Sequence, residues 1–196
     1  MDLSPVMSVR NILLLSQLGV ETGCALADIL LGKANPSGKL TTTWAAFEEY
    51  PEMPDFEDMN ETRYREGIYV GYRYFETFGD AAKRVCYPFG FGLSYTQFSL
   101  AVQSVTETEQ AIRAFVLVTN TGDYSGKEVV QMYYSAPQGL LQKPARELSA
   151  FCKTRTLLPG ESQLLTLETA KDSMEVRYQV QIEKAKNMEI QAKQSK

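Results

Sequence analysis

TRYREGIYVGYRYFETFGDAAKRVCYPFGFGLSYTQF, residues 62–98, is the stretch on which the reading of the fold turns. More than half of the chain's aromatic residues fall in it: Tyr64, Tyr69, Tyr72, Tyr74, Phe75, Phe78, Tyr87, Phe89, Phe91, Tyr95 and Phe98. Rings at this density carry a large burial payload, and most of them need a surface to pack on. Glycines at 67, 71, 79, 90 and 92 let the backbone turn or approach another surface closely. The pattern is too irregular for one helix and too aromatic for a free linker. It reads as an ordered connector held between two bodies of the protein.

Outward from the connector toward the C-terminus, the pattern becomes that of strands. Phe98 to Val102, Ala111 to Thr119, Lys127 to Ser135, Leu148 to Cys152 and Ser162 to Thr169 are short apolar or alternating runs. Asn120-Thr121-Gly122-Asp123 and Pro159-Gly160 punctuate them as turns. Val176, Tyr178, Val180 and Ile182 alternate with Arg177, Gln179, Gln181 and Glu183, the cleanest half-buried strand pattern in the chain. Short strands at regular spacing with turn signals predict an antiparallel β-sandwich.

Outward toward the N-terminus, residues 1–45 read as the end of an α/β domain. Ile12-Leu13-Leu14-Leu15 is a continuous apolar run, the pattern of a strand buried on both faces of a parallel sheet. A helix is predicted from about Thr22, capped by that hydroxyl, with Leu26, Ile29 and Leu30 as its buried face and Gly32 as its stop. Asn35-Pro36-Ser37-Gly38 reads as a turn, and Leu40 to Trp44 as a strand. A strand and a helix cannot close an α/β domain, so this part would expose its apolar face unless further elements cover it. Residues 46–61 carry Glu48, Glu49, Glu52, Asp55, Glu57, Asp58 and Glu61 with prolines at 51 and 54, and read as a solvated acidic loop without the spacing of a calcium site.

Composition narrows the function. The chain has 196 residues, 44% hydrophobic and 22% charged, which suits one globular domain or one and a half. The net charge of −4, with no basic stripe, argues against nucleic acid. There is no histidine, so the chain cannot supply a Ser-His-Asp triad or a histidine zinc site. Cys24, Cys86 and Cys152 show neither a disulfide framework nor a CxxC pair, and read as small buried apolar residues in a reducing compartment. No apolar run approaches the roughly 18 residues of a membrane span, and the N-terminus lacks a signal-peptide pattern; a cytoplasmic location is expected. Gly32 to Lys39 imitates a phosphate-binding loop. Five residues separate its glycines instead of the four that the loop needs, and Leu40 follows the lysine, so nucleotide binding is rejected.

Tyr64-x-Glu66-Gly67-Ile68-Tyr69-Val70-Gly71-Tyr72-Arg73-Tyr74-Phe75, followed by Tyr87-Pro88-Phe89-Gly90-Phe91-Gly92-Leu93-Ser94-Tyr95-Thr96-x-Phe98, resembles the C-terminal part of glycoside hydrolase family 3, the β-glucosidase family. Gly23 to Gly32 and Asn35 to Leu40 resemble the close of that family's α/β sandwich domain, in the expected order. Val118 to Gly122, Gly126 to Tyr133 and Leu158 to Ser162 resemble the fibronectin type III-like domain that often follows. The resemblance fades after about Ala170, where Val176 to Glu183 and Met188 to Ala192 suggest a substitute closing hairpin, and a frayed tail is the alternative.

The fold class expected is therefore mixed. Residues 1–47 would be the end of an α/β sandwich domain, 48–97 the connector, and 98–196 an all-β, immunoglobulin-like fibronectin type III sandwich with an atypical tail. The resemblance implies a parent that hydrolyses terminal β-linked glucosides with retention. Its nucleophilic aspartate would lie on a (β/α)8 barrel and its acid/base upstream in the sandwich domain. No catalytic, cofactor or metal residue is assigned in this chain; Glu21, in a loop before the helix, is the one carboxylate singled out for watching. The partners implied are the remaining domains of the parent and its β-glucoside or oligosaccharide substrate, without nucleic acid or membrane. Two other classes stay open: a non-catalytic carbohydrate- or protein-binding module that stacks sugars on connector tyrosines, and a remnant or half of a split enzyme.

Overall fold

The computed structural model describes residues 8–51, 60–61, 63, 65–79, 84–171 and 179–184. Two three-stranded antiparallel sheets form its centre. One has the order β3 (Phe98–Glu107), β4 (Ala111–Asn120) and β7 (Ser162–Ala170). The other has the order β6 (Glu147–Lys153), β5 (Val129–Ser135) and β8 (Gln179–Lys184). Ahead of them in the chain come a helix, α1 (Thr22–Leu30), a two-strand ladder of β1 (Trp44–Ala45) with β2 (Val85–Tyr87), and a short helix, α2 (Tyr72–Thr77).

Alternation builds the sandwich. On β4, Ile112, Ala114, Val116, Val118 and Asn120 point to the buried face, and Arg113 is exposed. On β7, Leu165, Leu167 and Thr169 do the same between exposed neighbours. Of these, Ala114, Val116, Val118, Leu165 and Leu167 meet Val130 and Met132 of β5, with Phe98 and Leu157, in one apolar cluster between the sheets. Thr108 closes the β3–β4 hairpin: its hydroxyl accepts from the Ala111 amide at 3.0 Å. Asn120 sits fully buried where β4 ends. Its amide donates to Tyr124 O at 2.8 Å and Leu157 O at 2.9 Å, and its oxygen accepts from Thr96 Oγ1 at 2.8 Å and Gly122 N at 3.1 Å. Every hydrogen-bonding capacity of that side chain is used.

Among the described residues, the sandwich is open at one side. Val102 and Val105 of β3 stand opposite Val116 and Ala114 of β4 and so share their inward face. Their partners are fully buried, yet each valine is 49% exposed. β8 completes the second sheet by pairing with β5. The alternation expected of Val176 to Tyr178 and the hairpin expected of Met188 to Ala192 lie outside the described residues.

Several sequence expectations need correction in the N-terminal part. Ile12 to Leu15 forms no strand and is exposed. A strand of a parallel sheet exists only with neighbours along its edges and layers on its faces, and none of the described residues provides them. Helix α1 forms as expected, but Thr22 does not cap it: its hydroxyl donates back to Gly19 O at 2.6 Å, and Glu21 is the N-cap. Leu26 and Ile29 are half-buried while Leu30 is exposed. Gly32 does stop the helix, with φ 71°. Its amide reaches Ile29 O at 3.0 Å and that of Lys33 reaches Asp28 O at 2.8 Å, a complete Schellman ending. Asn35 to Gly38 is not a turn, because its polar groups are used against the sandwich. The strand predicted at Leu40 to Trp44 shrinks to Trp44–Ala45. Cys24 is exposed on α1, not buried, while Cys86 and Cys152 are partly buried and all three are free thiols. In the acidic loop, 47–49 make a 3-10 turn, and residues 52–59 lie outside the described residues.

Two outcomes follow from these contacts. Asn120→Ala removes four hydrogen bonds, although Leu157 O keeps the Gly126 amide and Gly122 N keeps Gln97 O, and urea denaturation is expected to read a loss of about 2–4 kcal/mol. Glu161 fastens the turn between β6 and β7: Arg155 lies 2.6 Å from Oε1 and the Leu158 amide donates to Oε2 at 2.9 Å. The Arg155 hydrogen bond, and then the amide, hold its carboxyl down at about 2. A lowered folded pKa contributes stability above the unfolded value, which is lost as the pH falls through the folded one. Between about pH 4.5 and pH 2 the protein should therefore lose stability, and Glu161→Gln should flatten that slope in melting curves taken across the window.

Candidate functional site

Strand β5 is covered on both faces. Val130 and Met132 enter the sandwich core, while Gln131 and Tyr133, pointing the other way, are buried as well. What covers the outer face is the connector. The Tyr72 ring of α2 lies edge-on to Tyr133 at 6.2 Å and stacks with Phe89 at 4.6 Å. Arg146 lies over the Tyr133 ring at 4.5 Å and forks onto Glu76 of α2, its Nη2 donating at 2.6 Å. The Tyr72 hydroxyl accepts from the Leu148 amide at 2.7 Å, and Thr77 Oγ1 accepts from the Ala145 amide at 2.9 Å. Arg73 meets Glu147 at 2.8 Å, and Tyr134 donates to the same carboxylate at 2.8 Å. Burial, then that carboxylate, push the Tyr134 phenol up to about 12, so it remains a donor at any ordinary pH.

A second arm docks beside the first. Asn35 donates to Ser125 O at 2.9 Å and accepts from Ser94 Oγ at 3.0 Å and the Tyr95 amide at 2.9 Å. Lys153 of β6 donates to Ser37 O at 3.0 Å. Burial lowers the pKa of that ammonium, as do Lys127 and Lys39, and Glu128 opposes them. Lys39 reaches Gly92 O at 2.8 Å and Glu128 at 3.0 Å. Backbones come close here. A Cβ on Gly92 would strike the Gly38 carbonyl and the Lys39 stem, and one on Gly126 would lie 2.7 Å from Asn35 Nδ2. Only glycine allows such an approach. Tyr95 is half-exposed, yet its hydroxyl donates to Ile29 O at 3.0 Å, tying α1 to the connector.

Further connector rings among the described residues pack on one another. Tyr69 meets Phe78 at 4.7 Å, Tyr87 meets Phe91 at 4.9 Å, and Phe75 is buried against Tyr50 at 5.5 Å. Arg84 binds Glu49, donates to Phe78 O at 2.8 Å and lies over the Tyr74 and Phe75 rings. The carboxylates gathered at this seam are each matched to a cation. No group of three or more metal-ligating side chains occurs among the described residues, nor does a helix long and apolar enough to cross a membrane. Glu21 is exposed, and its side chain makes no cap hydrogen bond.

Comparison with known proteins fits both halves of the seam. The glycosyl hydrolase family 3 C-terminal domain matches residues 1–95, and the fibronectin type III-like domain matches residues 128–185. Beta-glucosidase A of Butyrivibrio fibrisolvens is 49% identical over 183 residues, covering 85% of this chain and 22% of that protein. A beta-glucosidase of Ruminococcus albus is 44% identical over 153 residues, covering 78% of this chain and 16% of that one. Among solved structures, a Paenibacillus barengoltzii beta-glucosidase superposes with a TM-score of 0.76 at 44% identity over 84% of this chain and 20% of its own. Beta-glucosidase 3B of Thermotoga neapolitana, in complex with glucose, does so at 0.70, with 44% identity over 80% of this chain and 22% of its own.

The chain belongs to glycoside hydrolase family 3. It is a C-terminal portion carrying the family's fibronectin type III-like domain, and it spans about a fifth of the length of these relatives. The sequence marks the connector but not the residues that fasten it. In sequence, Lys39 reads as a false phosphate-loop lysine within the family-like run Asn35 to Leu40, and Glu128 as part of the fibronectin-like run Gly126 to Tyr133; nothing there pairs the two. A charged residue set among strand apolars, as in Gly126-Lys127-Glu128-Val129-Val130, is the available signal. Arg146 carries none, and the turn and family pattern at Asn35 do not reveal its partners, which lie far away in the sequence.

The close approach at Gly92 is testable. Gly92→Ala should lower stability by about 1–3 kcal/mol, as overpacking does. Gly139→Ala, where a Cβ would meet nothing within 4 Å, should change it by less than about 0.5 kcal/mol. Chemical denaturation of the two variants checks both.

Proposed function

We propose that this chain is the C-terminal buttress of a β-glucosidase-type glycoside hydrolase. The parent hydrolyses terminal β-linked glucosides with retention, and both catalytic carboxylates belong to parts of the parent beyond this chain. The observation that carries the reading is the exposed apolar run Val9, Ile12, Leu13, Leu14, Leu15 and Leu18, with Leu30 and Leu31 of the α1 end. So many exposed large apolar side chains mark an interface. The partners that suit it are the rest of the α/β sandwich domain and, beyond it, a (β/α)8 barrel. Retaining hydrolysis needs two carboxylates about 5–5.5 Å apart, one as nucleophile and one as acid then base. At the seam the carboxylates instead lock onto arginine or lysine, which suits a supporting part. Relatives named beta-glucosidases, one of them solved with glucose, support the substrate class.

On its own the chain is expected to turn over no aryl β-glucoside. In place of the matching region of the Butyrivibrio fibrisolvens beta-glucosidase, it is expected to support hydrolysis, with the β-anomer of glucose released first as read by NMR. Turnover by the chain alone would overturn the reading. So would a soluble, cooperatively melting chimera without activity.

A further inference from the structure

Lys39 and Glu128 come from the two bodies of the protein, and their charged ends meet at 3.0 Å with side chains only 8% and 1% exposed. The ammonium also donates to Gly92 O at 2.8 Å. Glu128 Oε1 accepts from the Val129 amide at 2.8 Å, where β5 begins. Three pieces of chain therefore converge on one ion pair: the arm at 38–40, the connector at 90–92, and the start of the central sandwich strand. Beside it, Leu40 and the connector exchange backbone hydrogen bonds, Leu40 N to Phe91 O and Gly90 N to Leu40 O, both at 2.8 Å. The Leu40 and Gly90 amides are therefore protected only while the arm is seated against the connector beside the pair.

Taking two charges out of water offsets much of their attraction, so a buried pair adds little net stability over a well-packed apolar pair. It adds directionality. Ring contacts across the seam, such as Tyr72 against Tyr133, tolerate a slide; an ammonium buried beside a carboxylate does not, because a displaced arm would leave both charges dry and apart.

We infer that the Lys39–Glu128 pair is an orientation lock, which selects one docking register of residues 35–40 and 90–92 on the fibronectin type III-like domain while contributing little net stability. The lock holds whether or not the parent is a glycosidase. Through it, the sandwich presents the family 3 segment in a single geometry.

The test uses the full 196-residue chain and the variants Glu128→Gln, Lys39→Met and Lys39→Met/Glu128→Leu. Melting is followed by circular dichroism, and the exchange of the Leu40 and Gly90 amides by hydrogen–deuterium exchange. Each single variant leaves one buried charge without its partner and is expected to melt about 10 °C lower. The double variant is expected to melt within about 3 °C of the original chain, while its Leu40 and Gly90 amides exchange at least about tenfold faster. A double variant that regains both melting and protection would show the register to be set without the pair. One that melts as low as the singles would make the pair a net stabiliser. Unchanged melting in the singles would mean that the pair is not buried in solution. Each of these three results overturns the inference. If a single variant fails to fold, the double variant against the original chain still decides.

Discussion

A strand with apolar or aromatic residues on both faces must be covered twice, and β5 is such a strand. One face belongs to the sandwich core through Val130 and Met132; the other belongs to the connector through Gln131 and Tyr133. The sandwich therefore has an apolar, half-finished outer surface without the connector, and the connector has unpacked rings without the sandwich. Each half completes the other. The family 3 segment and the fibronectin type III-like domain behave as one structural body even though they are distinct in pattern.

The chemistry of the seam is divided by type. Rings supply area: Tyr72, stacked on Phe89 and edge-on to Tyr133, makes a short cluster without long-range direction. Arginines supply direction. Arg146, Arg84 and Arg73 each couple a carboxylate to an aromatic face, which suits the planar guanidinium, able to fork onto an acid while lying over a ring.

Two surfaces are left unfinished by the described residues, and they differ in kind. The run around Ile12 to Leu18 is apolar without secondary structure, because a sheet strand takes its backbone hydrogen bonds from neighbours. The open side of the sandwich is the reverse. There β3 is fully formed by pairing with β4, while Val102 and Val105 lack cover on the core face.

By itself, the sequence determined whatever depends on near neighbours. Alternation along Ala111–Asn120 and Ser162–Ala170 made them strands with a core face, Gly32 stopped α1, and the density of rings in residues 62–98 marked a connector that had to be packed. Motif order then placed the chain in its family. Tertiary structure alone decided the rest, because those outcomes depend on what lies across space. Ile12 to Leu15 had the pattern of a strand but lacked the sheet that would make it one. Asn35 to Gly38 had the composition of a turn, yet its polar groups served better against Ser125, Ser94 and Lys153. Lys39 and Glu128 are ordinary charged residues in the sequence, and no local period connects them. They became a buried pair because the connector folds the arm back onto β5, where water is excluded and only an opposite charge can answer a charge.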